Sequence, residues 1–255
     1  MNIQLIRHAT HIILYNGKKI LLDPMFSRKG TLSPVLNAPN EHLMNPLTEL
    51  PINISEIINV DAVLVTHTHR DHFDEEAISK LPKNITLFCQ PEDEQIIKEK
   101  GFINVVPIYE ELTWEGIHFT RTKGQHGKGE LATLMGPVSG FILKAEDEPT
   151  FYIVGDSVWY SDIEDVFYKY SPDVALVFAG QAQFLKGEPI TMGLNDIESI
   201  VKGFPETRLV VSHLESWNHC VLTRNEVREY AHRNHISDKV IVPENGEMIM
   251  YSKDK

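Results

Sequence analysis

Four side chains of metal-ligating type lie within six residues of this chain, in the segment His67-Thr-His69-Arg-Asp71-His72. The segment follows the apolar run Ala62–Val65, which is typical of a strand buried on both faces. Histidine and aspartate are ligands of zinc and similar divalent ions. Because side chains alternate along an extended chain, His67 and His69 would share one face. Asp71 and His72 lie beyond the turn and can point elsewhere, so one short loop can serve two adjacent metals.

Three further residues of ligand type each come just after a predicted strand: His126, Asp156 and His213. The ends of strands are where α/β proteins place their functional sites. Taken singly, a structural or surface role is the better interpretation of each histidine, and a helix cap that of Asp156. Together with the 67–72 segment, the three residues predict a shared metal centre. A solvated polar loop is the alternative interpretation of the segment itself.

The elements that must position these residues are strands and helices. Asn16-Gly17, between the runs Ile12–Tyr15 and Lys19–Leu22, predicts a hairpin because both turn positions favour positive φ. Residues 26–57 hold four prolines and little periodicity, which predicts a long functional or mobile loop. Asn245-Gly246, between residues 239–242 and 247–251, predicts a closing hairpin.

Strands and helices alternate through most of the remaining chain. The other predicted strands are residues 62–65, 85–89, 174–178 and 209–212, with antiparallel sheet formed from 105–123, 138–145 and 150–154. The predicted helices are residues 74–81, 92–100, 161–170 and 196–203, and a last one that begins at Thr223. Two halves that each mix strands with helices predict an α/β fold of two packed mixed sheets with helices outside. No repeat or Pro/Gly/Ser-rich linker divides the chain, so we expect one domain over residues 1–255.

Composition narrows the functional classes. The chain has 255 residues and a formal net charge of −12 with no basic run, which argues against nucleic acid as a partner. No segment approaches the length of a membrane span. The two cysteines do not match the pattern of a disulfide-rich protein, and the N-terminal residues do not match that of a signal peptide. These features predict a cytoplasmic protein with a small-molecule substrate.

The motifs resemble those of the metallo-β-lactamase superfamily over essentially the whole chain. The most similar branch is that of ascorbate-6-phosphate lactonase and N-acyl phosphatidylethanolamine phospholipase D, whose G-H-A…D-P opening resembles Arg7-His8-Ala and Asp23-Pro here. The resemblance implies a four-layer αββα sandwich. It also implies that His67, His69 and His126 hold one metal, that Asp71, His72 and His213 hold a second, and that Asp156 bridges them. Asp23 would orient a ligand by a hydrogen bond. His8 would do the same, or it is simply a buried residue.

Other branches of the superfamily have features that this sequence lacks, and these differences narrow the choice of activity. Flavodiiron-type oxidoreductases carry an acidic residue at the position of His69, and glyoxalase II-like proteins add a C-terminal helical domain. Ribonuclease Z-like relatives carry basic arms, and secreted antibiotic hydrolases need an export signal. A hydrolase of a small molecule is the activity that fits best.

The predicted reaction is hydrolysis by a metal-bound hydroxide. Two divalent ions, Zn²⁺ by default with Mn²⁺, Ni²⁺ or Fe²⁺ as alternatives, would activate water to cleave an ester, lactone, amide or phosphodiester bond. Asp71 would orient the nucleophile and shuttle a proton. A metal-binding sensor or regulatory protein without turnover is the rival interpretation. A structural metal site, with a closed set of ligands, is a third.

His213 and His219 compete for one ligand role. His213 directly follows the apolar run Leu209–Val211, where backbone pairing would hold it rigidly. His219 lies six residues later, and an ordinary histidine titrates near pH 6.5. We therefore predict His213 as the ligand and His219 as a candidate proton donor to the leaving group, with loop packing as the alternative for His219.

Overall fold

Two mixed sheets of seven strands each form the centre of the computed structural model, which describes residues 1–251. In chain order the strands are β1 (Asn2–Arg7), β2 (Thr10–Tyr15), β3 (Lys18–Leu22), β4 (Ala62–Val65), β5 (Thr86–Cys89), β6 (Val105–Pro107), β7 (Glu111–Trp114), β8 (Ile117–Lys123), β9 (Ser139–Lys144), β10 (Phe151–Ile153), β11 (Val174–Phe178), β12 (Arg208–Ser212), β13 (Val240–Ile241) and β14 (Met248–Met250). The first sheet has the order β14-β1-β2-β3-β4-β5-β6, and the second has the order β13-β12-β11-β10-β9-β8-β7. The parallel strands of each sheet lie on one side and its antiparallel strands on the other.

Helices cover the outer faces of both sheets. The helices are α1 (Ile54–Ile57), α2 (Glu75–Lys80), α3 (Glu94–Glu99), α4 (Glu130–Met135), α5 (Ser161–Tyr170), α6 (Leu194–Gly203) and α7 (Arg224–Arg233). Unlike the others, α4 packs on neither outer face, and its Leu131 and Met135 join a separate apolar cluster. Residues of α1, α2 and α3 pack on the first sheet, and residues of α5, α6 and α7 pack on the second. Over residues 1–251, no helix has the length and apolar character needed to cross a membrane.

A third apolar cluster fills the space between the sheets. It joins Ile13 and Leu64 of the first sheet to Phe141 and Leu176 of the second. Because β4 and β11 are covered on both faces, all of their residues are buried, which explains their continuous apolar sequences. The layers therefore run helix, sheet, sheet, helix, and the predicted αββα sandwich is confirmed.

The Asn16-Gly17 hairpin is confirmed, but the last predicted hairpin is wrong. β2 and β3 pair antiparallel, with φ values of 49° at Asn16 and 72° at Gly17. By contrast, β13 lies parallel to β12 in the second sheet, whereas β14 lies antiparallel to β1 in the first. The Asn245-Gly246 turn carries the chain from one sheet to the other, since Gly246 N–H donates to the Leu5 carbonyl. A local turn signal fixes the turn but not the partner of the strand that follows.

The antiparallel prediction for residues 105–123 is also wrong at its start. β6 pairs parallel with β5 at the edge of the first sheet, whereas β7 and β8 form an antiparallel pair in the second. Three residues carry too little pattern to show which sheet they join. The predicted 92–100 helix is a 3-10 turn at Pro91–Asp93 followed by α3.

The long loop predicted for residues 26–57 is confirmed except for the single turn of α1. Buried side chains hold its first residues. The Arg7 guanidinium donates to the carbonyls of Met25, Ser27 and Thr48. The Asp74 carboxylate accepts the backbone N–H groups of Phe26 and Ser27, while it also caps α2 by accepting Ala77 N–H.

We predict that Asp74→Ala lowers the free energy of unfolding by about 2–4 kcal/mol, because it removes a helix cap and leaves two loop N–H groups unpaired. The measurement is urea denaturation of the metal-free protein. Glu75→Ala is the matched control, since Glu75 lies in the first turn of the same helix but is exposed, and a change within about 0.5 kcal/mol is expected there. Equal losses in both variants would show that the Asp74 contacts contribute nothing specific.

Candidate metal centre

The predicted ligand residues meet along one edge of the sandwich, where strands of both sheets end. His8 follows β1, Asp23 follows β3, the 67–72 loop follows β4, His126 follows β8, Asp156 follows β10 and His213 follows β12. His8, Asp23 and all of the predicted ligands are buried except His69, which is partly exposed. The first sheet contributes four predicted ligands and the second contributes three.

Backbone strain is concentrated at this edge. His8, Asp23 and His213 have φ values of 61°, 43° and 66°, which residues other than glycine seldom adopt. Gly180 allows the His213 loop to approach, because a Cβ at Gly180 would lie 2.0 Å from the His213 carbonyl oxygen. Such conformations persist only where the surrounding structure enforces them, as the packing of two sheet edges does here.

His67, His69 and His126 form the first group. Their ring centroids lie 4.5 Å apart for His67 and His69, 5.4 Å for His69 and His126, and 5.8 Å for His67 and His126. One nitrogen from each ring lies within 4.8 Å of the others. The Nε2 atom of His67 is buried and has no hydrogen-bond partner, which is costly for a polar atom unless a ligand satisfies it.

Asp71, His72 and His213 form the second group, with His8 beside them. Asp71 Oδ2 lies 3.6 Å from His213 Nε2 and 4.0 Å from His72 Nε2, and the two Nε2 atoms are 3.3 Å apart. His8 Nε2 lies 3.3 Å from Asp71 Oδ2, and the His8 ring lies against that of His213 with centroids 3.6 Å apart. Among the described residues, His8 thus joins this group instead of being merely buried.

Asp156 lies between the two groups. Its Oδ2 atom is 3.4 Å from His126 Nε2 of the first group and 3.3 Å from His72 Nε2 of the second. Its Oδ1 atom is 3.5 Å from His213 Nε2, is buried and has no hydrogen-bond partner. A carboxylate in this position is suited to contact ions in both groups at once.

Hydrogen bonds at Nδ1 orient four of the rings. Nδ1 of His72 lies 2.8 Å from Asp23 Oδ2, and Nδ1 of His126 lies 2.8 Å from the Ile190 carbonyl oxygen. Nδ1 of His67 lies 3.1 Å from Thr66 Oγ1, and Nδ1 of His213 lies 3.4 Å from Cys220 Sγ. The carboxylate and carbonyl partners require N–H at Nδ1 of His72 and His126, so Nε2 is the atom of each ring that would coordinate an ion.

Asp23 follows a strand of the first sheet and contacts one of the predicted ligands, His72. Its buried carboxylate accepts Thr66 N–H at 2.7 Å and the Thr66 hydroxyl at 2.8 Å, in addition to the contact with His72. Thr66, Ile190 and Cys220, which contact Nδ1 of the candidate ligands, were not predicted from the sequence. Thr66 gave a signal by preceding His67 directly, whereas a backbone carbonyl such as that of Ile190 gives none.

The two groups differ in charge. Burial lowers the pKa of His67 well below its usual value, and burial also lowers the pKa of His126, so both rings are neutral. In the second group burial opposes the charged imidazole, but the neighbouring carboxylates outweigh it. Asp156 above all raises the pKa of His72 well above its usual value and that of His213 to about 10. In the metal-free protein, His72 and His213 therefore carry protons at the place where the second group would bind a metal ion.

The donor set fits divalent metal ions. Five imidazoles and two carboxylates converge, and some of their ligand atoms have no hydrogen-bond partner. Protonated rings of the second group supply the positive charge that a metal ion would otherwise provide. Nitrogen and oxygen ligands of this kind suit zinc and other first-row ions. The arrangement can therefore bind metal, and it opens on a space large enough for a substrate.

A cavity of about 530 Å³ lies against the centre. Its polar end is formed by His69, Asp71, His126 and His219. Its other walls are largely apolar and comprise Ser33, Pro34, Val35, Leu36, Arg70, Met135, Phe184, Ile190 and Trp217. This combination of a few polar groups with apolar walls is typical of small-molecule sites.

His219 lines this cavity and belongs to neither group of ligands. Burial lowers the pKa of His219 to about 4, so its ring is neutral at neutral pH. This differs from the titration near pH 6.5 assumed from the sequence, because burial depends on the folded structure. A neutral ring can still donate a hydrogen bond from one N–H.

Comparison with known proteins agrees with the fold. Residues 18–214 match the model of the beta-lactamase superfamily domain. The UPF0173 protein YddR of Bacillus subtilis is 41% identical over 97% of this chain and 98% of its own length. The crystal structure of an isothiocyanate hydrolase from Delia radicum gut bacteria is 36% identical, with a TM-score of 0.96 over 99% of this chain and 100% of that chain. A Saccharomyces cerevisiae protein named N-acyl-phosphatidylethanolamine-hydrolyzing phospholipase D is 28% identical over 59% of this chain and 33% of its own length.

The fold is that of the beta-lactamase superfamily, as the sequence motifs predicted, and the chain belongs to this superfamily. Within that superfamily, the chain belongs to the UPF0173 family, several members of which are named metal-dependent hydrolases.

Metal binding to the second group should release protons. His213 is protonated below about pH 10 in the metal-free protein and must lose that proton to coordinate an ion. Below that pH, the apparent affinity of this group should rise about tenfold per pH unit for each displaced proton. The first group should show a weaker dependence, since His67 and His126 are already neutral. Calorimetric titration with Zn²⁺ in buffers of different ionisation enthalpy measures the protons released, and pH-independent binding of every ion would contradict the assignment.

Proposed function

We propose that this protein is a dinuclear metal-dependent hydrolase of a small, uncharged organic molecule with an apolar substituent. The main support for this proposal is the position of Asp156 between two groups of candidate ligands, at the polar end of a cavity of about 530 Å³. A sensor or structural role requires no such cavity beside the ligands. The cavity therefore favours turnover over the two rival interpretations.

The ligands divide as the geometry suggests. His67, His69 and His126 would hold one ion; Asp71, His72 and His213 would hold the other, with Asp156 in contact with both. Bound ions of this kind lower the pKa of water toward 7 and polarise a substrate oxygen. The nitrogen-rich set favours Zn²⁺, although Mn²⁺, Ni²⁺ and Fe²⁺ accept the same donors.

Asp71 is positioned to handle a proton. It lines the cavity, and its Oδ2 atom is in contact with His8 Nε2, so the other carboxylate oxygen, Oδ1, is the one to accept a proton from the attacking water. Burial alone would raise the pKa of Asp71, but the charge of His72 and the contacts with His213 and His8 hold it well below its usual value. Asp71 thus stays ionised and orients the nucleophile.

His219 acts on the substrate side of the cavity. Its neutral ring donates an N–H hydrogen bond to the substrate heteroatom that gains charge during bond cleavage. Donation from a neutral ring stabilises that charge without requiring an imidazolium. This refines the proton-donor role expected from the sequence.

The cavity walls favour an uncharged substrate. Among residues 1–251, Arg70 is the only Lys or Arg that lines the cavity, and three of its hydrogen bonds go to Ser33 and Pro34 of the wall. Apart from the ions of the metal centre, a phosphodiester would find no unengaged cation among these wall residues, whereas esters, lactones and amides need none. Of the four bond types expected from the sequence, the uncharged three fit better.

Isothiocyanates are a second candidate class, favoured by one observation. One similar protein, whose structure covers nearly all of both chains, is named an isothiocyanate hydrolase. An isothiocyanate is uncharged, carries an apolar substituent and presents an electrophilic carbon, which suits the same cavity. Addition of water to that carbon and cleavage of its bond to nitrogen would release a primary amine and carbonyl sulfide.

The proposal is tested by assays of protein loaded with each metal in turn. The probes are benzyl isothiocyanate, phenyl acetate, γ-butyrolactone and bis(p-nitrophenyl) phosphate. We expect turnover of uncharged probes, with the phosphodiester slowest. Tight binding of about two ions per chain without turnover of any probe would instead support the sensor interpretation.

Asp156→Ala should reduce kcat/KM at least about 100-fold for any accepted probe and lower the metal content, while the protein stays folded. The carboxylate contacts both groups of ligands but makes no hydrogen bond that holds the core. Metal analysis, circular dichroism and kinetics are measured together. Asp162→Ala, which changes an exposed acid on α5, is the control and should alter none of them. Full activity in Asp156→Ala would refute a dinuclear centre.

His213→Ala and His219→Ala should separate metal binding from substrate contact. His213→Ala is expected to lose about one ion per chain, because His213 Nε2 lies among the second group. His219→Ala should keep both ions and lower kcat by about 10- to 100-fold. Elemental analysis beside steady-state kinetics decides between them. Loss of an ion from His219→Ala but not from His213→Ala would reverse the assignment.

A further inference from the structure

One wall of the cavity comes from an irregular loop. Residues Ser33–Leu36 belong to the long segment between β3 and α1. That segment, all of which the structure describes, has one strand-like pairing, a single bridge between Leu32 and Asn45. A segment without a regular hydrogen-bond ladder is held by isolated backbone contacts, such as that from Leu185 N–H to the Asn37 carbonyl, and by side chains. Two of these side chains come from the same side of the molecule as the candidate ligands.

Asn218 holds the wall from beneath. This residue is fully buried between Trp217 and His219, both of which line the cavity. Its Oδ1 atom accepts Val35 N–H at 2.8 Å and the Asn45 amide at 2.8 Å. Its Nδ2 atom donates to the carbonyls of Val35 at 3.1 Å and Pro39 at 2.9 Å. The side-chain amide therefore uses both of its ends on the wall.

Arg70 holds the wall from the rim. It lies inside the 67–72 loop but belongs to neither group of ligands. Its guanidinium donates to Ser33 Oγ at 2.9 Å, to the Ser33 carbonyl at 2.8 Å and to the Pro34 carbonyl at 3.1 Å. The same guanidinium lies over the Trp217 ring, 5.1 Å from its centroid. One side chain thus connects the metal-binding loop, the wall and the opposite aromatic residue.

We infer that Arg70 and Asn218 are positioning residues that fix the Ser33–Leu36 wall, and that this wall selects substrates by the size of their apolar substituent. The inference rests on the proposed hydrolase function for its kinetic consequences, but the fixation of the wall is a property of the protein alone. If the wall is released, a large substituent loses its contact surface while the reacting bond keeps its surroundings. KM should then rise for bulky substrates and kcat should stay nearly constant.

Arg70→Met tests the inference without disturbing the buried core, because Arg70 is exposed at the rim. With metal-loaded protein, we expect faster hydrogen exchange in residues 31–37 and unchanged metal content. For benzyl isothiocyanate, KM should rise about five- to tenfold with kcat within about twofold, whereas methyl isothiocyanate should be affected less than about twofold. Arg70→Lys, which keeps a cation that can reach one carbonyl, should restore part of the loss.

Arg28→Met is the matched control. Arg28 lies in the same loop with an exposed side chain that does not line this cavity, so exchange and kinetics should not change. Asn218→Ala should accelerate exchange in residues 31–40 more strongly than Arg70→Met, since it removes four hydrogen bonds to this loop.

The outcomes separate the inference from the proposed function. Unchanged exchange in Arg70→Met overturns the inference whether or not any probe is turned over. A wild-type protein inactive on every uncharged probe, with exchange altered as expected, refutes the hydrolase proposal and the selection by size but leaves the fixation of the wall established. A selective loss of an anionic probe, benzyl phosphate, would make Arg70 an anion receptor and overturn its positioning role. A fall in kcat with loss of metal would place its action at the metal centre and do the same.

Discussion

Three carboxylates buried at the edge of the sandwich impose the main constraint on this structure. Asp23, Asp71 and Asp156 are buried, and a buried charge is costly unless positive charge and hydrogen bonds compensate it. In the described part of the chain, their ion-pair partners are all histidines. Protonated rings meet this requirement in the metal-free protein, and divalent ions would meet it with more charge in less space. The folded chain is therefore arranged around positive charge at this edge before any substrate arrives.

The position of that charge follows from the sandwich. The ligands come from strand ends of both sheets, and the apolar core between the sheets brings those ends together. Asp156 of the second sheet contacts His72 of the first, and the ring of His8 from the first lies against that of His213 from the second. An ion held by His72 and His213 would tie the sheets to each other, so metal binding and the packing of the two sheets are coupled. Strained backbone at His8, Asp23 and His213 is tolerated at this edge because both sheets enforce it.

Local pattern determined what could be predicted from the sequence. The 67–72 loop was identifiable because its residues of ligand type are close together in sequence, and His126, Asp156 and His213 because each follows a predicted strand. The closing hairpin was predicted wrongly because a turn signal does not encode which sheet the next strand joins. The pKa of His219 depends on burial by distant residues, and the contacts of Asn218 span more than 170 residues of sequence. Such properties arise only when the chain is folded, so residue type and spacing do not reveal them.

The separation of ligands from cavity wall has a consequence for specificity. The candidate metal ligands lie at the ends of paired strands, where ladder hydrogen bonds and the core between the sheets fix them. The wall at Val35 and Leu36 lies on a loop whose position depends on a few side-chain hydrogen bonds, chiefly those of Asn218. Substitutions in that loop can therefore reshape the cavity with little effect on the charge balance of the centre. A fold built in this way can keep one chemical centre while the substrates that reach it change, because the two properties depend on different contacts.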